Sequence, residues 1–240
     1  MKNLSLLPLS LILTLGCSDE NVTPRLPANL PDVSTAVFSN PTNITNLYYG
    51  PGVGEVYIYE GSEVGEEAEE EIRIERFTDT KLVMGVTCVI HKDLVFLEDI
   101  LIEDTEDWLA QDDAGNLWYF GEFVKNYTDE GDFDNNEGSW EAGVDKALPG
   151  YWMIANPVIG DDYMQEYLKG EAEDYAEIVG FETVVIGMGT FTDCLVTRDI
   201  NPFEEDVEEL KYYAPGIGFI KEALFEDGEL VETLELIEIQ

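Results

Sequence analysis

Positive charge is what this chain has least of: 12 lysines and arginines stand against 52 aspartates and glutamates, a formal net charge of −40. Basic side chains bind phosphate by displacing its counterions, so a surface this acidic repels nucleic acid and anionic lipid headgroups and excludes nucleic acid as a partner. Histidine is nearly absent, with His91 alone. One histidine rules out a His-Glu-x-x-His zinc site and leaves a single candidate base for a Ser-His-Asp triad. Beside Lys92 at the end of an apolar strand, it reads as a surface residue. No Gly-x-Ser-x-Gly elbow occurs, because Ser139 sits in Gly138-Ser139-Trp140-Glu141-Ala142-Gly143, and there is no phosphate-binding Gly-x-x-x-x-Gly-Lys loop. A long helical periodicity is missing as well.

What is present begins with an apolar stretch, Leu4 to Leu15, preceded by Lys2 and followed by Gly16-Cys17-Ser18. About a dozen residues cannot cross a bilayer as a helix, which takes roughly 20, and the charge order fits a cleavable signal peptide. Gly16-Cys17 resembles the lipobox of bacterial lipoproteins, although Leu13-Thr14-Leu15 departs from its usual spacing. The resemblance implies that Cys17 is acylated and anchors the protein to a membrane, the outer one if the host is Gram-negative; an ordinary secretory signal is the alternative. The expected organisation is a signal peptide over 1–16, a lipidated N-terminus and Pro-rich tether over 17–37, and one β-rich domain over 38–240.

With Cys17 lipidated, Cys88 and Cys194 remain as a pair in an oxidising compartment. A bridge between them would close a loop of about a hundred residues, worth on the order of 4 kcal/mol; two separate buried thiols are the other reading. The acidic excess itself reads as a solvated shell that keeps the protein soluble in a salty medium.

From Phe38 onward, short apolar runs alternate with turn chemistry. Ile72-Arg73-Ile74-Glu75 has period two, Leu82 to Ile90 is β-branched, and Leu117 to Val124 is aromatic on both faces. Asp227-Gly228 is a two-residue hairpin signal, Asp113 to Asn116 a second turn, and the acidic run Glu63 to Glu71 a hairpin connection. Leu234 and Leu236 share one face while Ile237 and Ile239 share the other, a slip that predicts a β-bulge. The fold expected is mainly β with few helices: an antiparallel meander of about ten strands, too many to stay flat, curled into a half-barrel, barrel or sandwich. The strands around Cys88 and Cys194 echo one another, by duplication or by chance.

Carboxylates are the remaining candidates for chemistry. Counting back from the turn at 113–116 sets Asp107, or after a one-residue slip Glu106, opposite Glu122. Like charges across a ladder destabilise it unless water screens them, they share a proton, or a cation lies between them. Proton sharing would suit a hydrolase using Glu122 with Asp107 or Glu141. Asp132, Asp134 and Asn136 resemble the opening of a calcium loop but fail the EF-hand pattern at Glu137 and Gly143, so a Ca²⁺-stabilised structural or adhesive module rests on an irregular site. Trp108, Trp118, Trp140 and Trp152 cluster within a short span, either as core or, with Glu122 and Glu141, as a concave face for an apolar or glycan-like ligand.

The strings Asp107-Trp108-Leu109-Ala110-Gln111-Asp112, Gly115-Asn116-Leu117-Trp118-Tyr119-Phe120-Gly121-Glu122 and Lys211-Tyr212-Tyr213-Ala214-Pro215-Gly216-Ile217-Gly218 resemble a family of uncharacterised secreted and lipid-anchored bacterial proteins. The likeness covers nearly all of the chain from 38 and implies a single exported β domain, with no activity attached. More loosely, the closing Tyr-Ala-Pro-Gly-x-Gly before a terminal hairpin is similar to lipoprotein carriers of the LolA architecture, which implies a hollow face open to an apolar ligand.

Overall fold

The computed structural model describes residues 29–66, 68, 70–203 and 207–240. The leader, Cys17 and the first part of the expected tether lie outside the described residues.

Five strands in succession, β1 (Val56–Glu63), β2 (Glu70–Val83), β3 (Val86–Leu97), β4 (Ile100–Gln111) and β5 (Leu117–Tyr127), form an antiparallel meander. Three short strands, β6 (Phe133–Asn135), β7 (Trp140–Glu141) and β8 (Leu148–Met153), fold back onto β5. After β9 (Asp162–Met164) and β10 (Glu166–Tyr167) comes a second meander: β11 (Tyr175–Ile186), β12 (Gly189–Ile200), β13 (Val207–Ala214), β14 (Gly218–Glu226) and β15 (Glu229–Ile239). The last strand pairs with the first, which makes the two meanders one sheet in the order β10-β8-β5-β4-β3-β2-β1-β15-β14-β13-β12-β11-β9. Among the described residues, helix is limited to one 3-10 turn, Val33–Thr35.

Local chemistry explains the turns. Asp227-Gly228, the hairpin read from sequence, has both residues at positive φ (51° and 81°) between the paired Glu226 and Glu229. This is the turn whose twist matches that of the flanking strands. The bulge expected in the last strand is also present: Ile58 pairs with Glu238 and Tyr59 with Leu236, so Ile237 is the extra residue.

The strand β9 is hydrogen-bonded to β11 at one edge of the sheet and β10 to β8 at the other, yet only Gln165 separates them in sequence. The chain therefore crosses from edge to edge at Gln165, and the sheet curls until its edges meet there without closing into a barrel. A curled sheet of this width encloses a hollow unless its inner side chains fill it. Here they do not.

The strand β5 is buried on both faces because a second layer covers its outer side. Phe38 sets its ring edge-on to Trp118 and Phe120, at 5.9 and 5.8 Å. Backbone bonds from Gln111 to Pro41 and from Asp113 to Val37 hold that layer, and the Gln111 carboxamide accepts from the N–H groups of Thr45 and Asn46. The covering layer begins before residue 38: Val33 and Ala36 pack on the core, and Met164 N–H donates to Asn29. Residues 29–37 thus lie on the domain instead of hanging from it as a tether.

Cys88 and Cys194 are both buried and both free, which corrects the expected disulfide. Cys88 lies in β3 and Cys194 in β12, six strand positions apart in the sheet order, so they are not brought together as neighbours on paired strands. Burial pushes the Cys88 thiol up to about 12, so it is an inert core residue. The echo between the two Cys strands has no structural counterpart either, since β3 is two strands from the β1/β15 junction and β12 is three.

Candidate functional site: a carboxylate-lined cavity

The concave side of the sheet holds a cavity of about 910 Å³. Its wall is built by period-two alternation: Glu70, Ile72 and Ile74 from β2; His91, Asp93 and Val95 from β3; Glu103, Thr105 and Asp107 from β4; Glu209, Lys211 and Tyr213 from β13; Glu222, Leu224 and Glu226 from β14; Leu230, Glu232 and Leu234 from β15. Apolar residues gather toward β2 and β15, while Tyr49, Tyr119 and Trp152 form an aromatic side near β5.

The sequence places Asp107 opposite Glu122, and the structure pairs them, by a different route than a symmetric turn. Gln111 faces Leu117 instead of Trp118, a one-residue offset that a bulge then reverses: Phe120 and Gly121 together stand against Trp108, between the pairs Leu109–Tyr119 and Asp107–Glu122. The extra residue flips the face of β5, so that both Tyr119 and Glu122 enter the cavity. Gly121 is what permits it. Its φ is 125°, and a Cβ there would overlap the Trp140 carbonyl oxygen and come within 2.9 Å of the Glu141 Cα. Gly121→Ala should therefore cost roughly 3 kcal/mol in denaturant unfolding, from backbone strain and overpacking together. Gly180→Ala in β11, where a Cβ meets open space, should change stability by less than about 0.5 kcal/mol; equal effects at both sites would refute the bulge.

Several carboxylates of this wall are unusually hard to ionise. Burial first, then the charge of Asp93, pushes Asp107 up to about 7, although the Tyr119 hydroxyl donates to its Oδ1 at 2.6 Å. Burial and then Asp107 hold Glu122 well above the usual range; burial and then Asp174 do the same for Glu166. Burial lifts Asp174 to about 6, and burial together with Glu232 lifts Glu70 to about 7. Cationic contacts in the cavity are few. Among the described residues, Lys211 lies 3.1 Å from Glu209, 3.3 Å from Asp199 and 3.8 Å from Glu222, and His91 Nε2 lies 3.3 Å from Asp93 Oδ1. For His91 burial is the largest single influence and disfavours the charged ring, but the charge and hydrogen bond of Asp93 together with the Asp107 charge outweigh it, and the ring becomes easier to protonate.

No protein-family model and no curated protein matches the chain. Among solved structures it is similar to a protein assigned as a lipoprotein from Parabacteroides distasonis, at 13% identity over 81% of this chain and 99% of that one, with a TM-score of 0.48. It is also similar to a protein assigned as exported, with a YmcC-like fold, from Bacteroides fragilis, at 15% identity over 81% and 99%, with a TM-score of 0.47.

The other residues singled out in the sequence fall in several places. His91 is 2% exposed, which corrects its reading as a surface residue: the Lys92 side chain beside it alternates to the other face and pairs with Asp104 at 2.8 Å. Trp118 is core, its indole N–H donating to Asp112 at 2.9 Å. Trp108 and Trp140 border a second depression with Glu122 and Glu141, separate from the main cavity. Glu141 pairs with Lys81 at 2.8 Å and lies outside the cavity that holds Asp107, so the structure joins Glu122 with Asp107 alone. Asp132, Asp134 and Asn136 sit on the exposed hairpin after β5; the Asn136 amide donates back to the Val124 carbonyl and Asp134 accepts from Asn135, so the three do not converge. Asp93, Lys211, Glu166 and Asp174, together with His91 as a cavity residue, escape the sequence reading. Their signal is the alternation of charged residues with tyrosine or valine in strands that already carry an apolar opposite face.

Proposed function

We propose that the protein is an exported, lipid-anchored envelope protein that binds a small amphiphilic ligand in the cavity of its curled sheet, without catalysis. The apolar leader and Gly16-Cys17 support export and anchoring. The cavity carries the ligand-binding reading: its volume falls within the range of about 300–1,000 Å³ typical of ligand sites, and its wall combines aliphatic and aromatic side chains with carboxyls. Carboxyls that keep their protons near neutral pH donate hydrogen bonds to hydroxyl groups, while Trp152 and Tyr49 offer faces for stacking. A glycan-like or polyhydroxylated amphiphile suits that combination better than a plain hydrocarbon.

Native mass spectrometry of the protein extracted from its own host membranes tests both halves. The expected spectrum shows a chain lacking residues 1–16 and carrying acyl groups on Cys17, plus a reproducible non-covalent adduct that leaves on denaturation. A bare, full-length chain in every preparation would refute both.

One observation favours a second reading. Asp107 and Glu122 are paired and buried, and Asp107 is hydrogen-bonded by Tyr119; a carboxyl held protonated beside one held ionised is the equipment of a glycosidase-type hydrolase. On this reading Glu122→Gln lowers turnover of a polysaccharide substrate at least 100-fold, and a wild-type protein inactive on a broad polysaccharide panel would rule it out.

A further inference from the structure

His91 and Asp107 face each other across β3 and β4, and Asp93 follows two residues along on the same face. One nitrogen or oxygen of each lies within 4.8 Å of the other two, and this is the one such grouping among the described residues. The 3.3 Å between His91 Nε2 and Asp93 Oδ1 is the edge of a tetrahedron whose corners lie about 2.0 Å from a central ion. Side chains behind the cluster aim it. Tyr49 Oη contacts His91 Nδ1 at 3.2 Å, which leaves Nε2 facing the cluster, and the Tyr119 hydroxyl occupies Asp107 Oδ1, which leaves Oδ2 free. Such outer contacts are how ligating histidines and carboxylates are held.

Two further observations bear on what the cluster can hold. Asp93 Oδ1 is buried, and its one ion-pair contact among the described residues is His91 Nε2 at 3.3 Å. The Glu122 side chain, 8% exposed, enters the same cavity directly across the ladder from Asp107, and no cationic side chain among the described residues pairs with it. Two carboxylates set opposite one another in a buried wall are costly unless a proton or a cation lies between them.

We propose that His91, Asp93 and Asp107 bind one divalent transition-metal ion in the wall of the cavity, with water filling the remaining position. One imidazole nitrogen among carboxylate oxygens suits Zn²⁺, Mn²⁺ or Fe²⁺ and is unlike the all-oxygen shell of Ca²⁺. The site is distinct from the irregular calcium loop considered at Asp132 to Asn136, and it stands whether or not an amphiphile fills the rest of the cavity.

Because His91 is the only histidine, nitrogen NMR of protein labelled in histidine alone gives signals that need no assignment. Chelator-treated protein titrated with ZnCl₂ in 0.15 M NaCl should show the Nε2 resonance shift to an end point at one equivalent. Co²⁺ substituted for Zn²⁺ should give visible absorption bands of a four-coordinate centre. Asp93→Asn should weaken Zn²⁺ binding at least tenfold, whereas the exposed Glu238→Gln should leave it within twofold. An Nε2 signal unmoved by stoichiometric Zn²⁺ would overturn the proposal, as would equal affinity of wild type and Asp93→Asn, because the ion would then be held by surface carboxylates. The wild-type titration decides the matter even if a variant fails to fold.

Discussion

Taking the protein from pH 8 to pH 5 raises its melting temperature by about 10 °C. Most acid-sensitive proteins behave the other way, since their carboxylates are paired in the native state and must be protonated for unfolding to proceed. Here Glu70 and Asp107 titrate near 7 and Asp174 near 6, each pushed up first by burial, and Glu122, Glu166 and Glu222 lie well above the ordinary range for the same reason. In the unfolded chain all of them ionise near 4. Between about pH 4.5 and 7 the native state therefore holds more protons than the unfolded one. Stability falls as pH rises through that window. A carboxyl that holds its proton tenfold more tightly in the native state than in the unfolded one contributes about 1.4 kcal/mol. Coupling among these neighbours makes their sum smaller than the separate contributions, and the combined effect expected is about 4 kcal/mol. Below about pH 4 the trend reverses, because Asp104, in spite of partial burial, is kept ionised in the native state by hydrogen bonds from Lys92 and Lys125. Melting curves across this range, repeated in 1 M NaCl to screen the surface, test the prediction. Glu70→Gln should raise stability at pH 8 and leave it unchanged at pH 5. A melting temperature that falls steadily from pH 8 to pH 5 would mean the carboxylates are solvated.

Lys211→Met costs roughly 3 kcal/mol at pH 7.5, the usual consequence of taking one partner from a buried charge cluster. Among the described residues Lys211 is the one lysine on the cavity wall, within 3.1 to 3.8 Å of Glu209, Asp199 and Glu222. Burial works against its charge, but the surrounding carboxylates outweigh burial and raise its pKa further, so it is charged at any ordinary pH. Asp199 is itself fixed by Thr197 and Gln165, at 2.7 and 3.2 Å, and cannot swing into water when the lysine is lost. Methionine keeps most of the apolar stem but leaves these carboxylates without a counter-charge. Near pH 5 Glu222, which burial and then the Glu209 charge hold well above the usual carboxylate range, is protonated, and the penalty shrinks to about 1 kcal/mol. Denaturant unfolding at the two pH values checks this, and a loss independent of pH would show that Lys211 acts through packing alone.

Much of the architecture is written in local patterns. The Asp227-Gly228 hairpin, the slip in the last strand that marks the bulge at Ile237, and the Asp107–Glu122 pairing all follow from turn chemistry and period-two alternation, which are properties of a few neighbouring residues. The Asp107–Glu122 pairing shows how such a reading succeeds by compensation: the turn shifts the register by one and the Gly121 bulge shifts it back. What escapes depends on residues distant in sequence. The covering of β5 by Phe38 and its neighbours makes Trp118 and Phe120 core instead of a binding face, and nothing near position 118 announces a partner 80 residues earlier. His91 cannot be judged from its neighbour Lys92, because adjacent side chains in a strand face opposite ways and meet different environments. Compartment chemistry argues for pairing the cysteines, whereas their separation is set by strand order across the whole sheet.

The acidic composition also takes on a second meaning. Part of it is surface, but another part lines a hollow on ten strands, where neighbouring carboxylates such as Asp107 and Glu122 raise the cost of ionising one another. If the cavity binds the ligand proposed for it, a ligand supplying cations or hydroxyl groups would relieve that cost, and binding and pH should be linked through the same residues.

An experimental structure of the protein taken from its own host membranes, at a resolution that shows individual side chains, tests the central claim most directly. It should show non-protein density between Asp107 and Glu122 on one side and Lys211 on the other, within an open, curled sheet. Side chains of β14 packed directly onto β3, with no room between them, would contradict it.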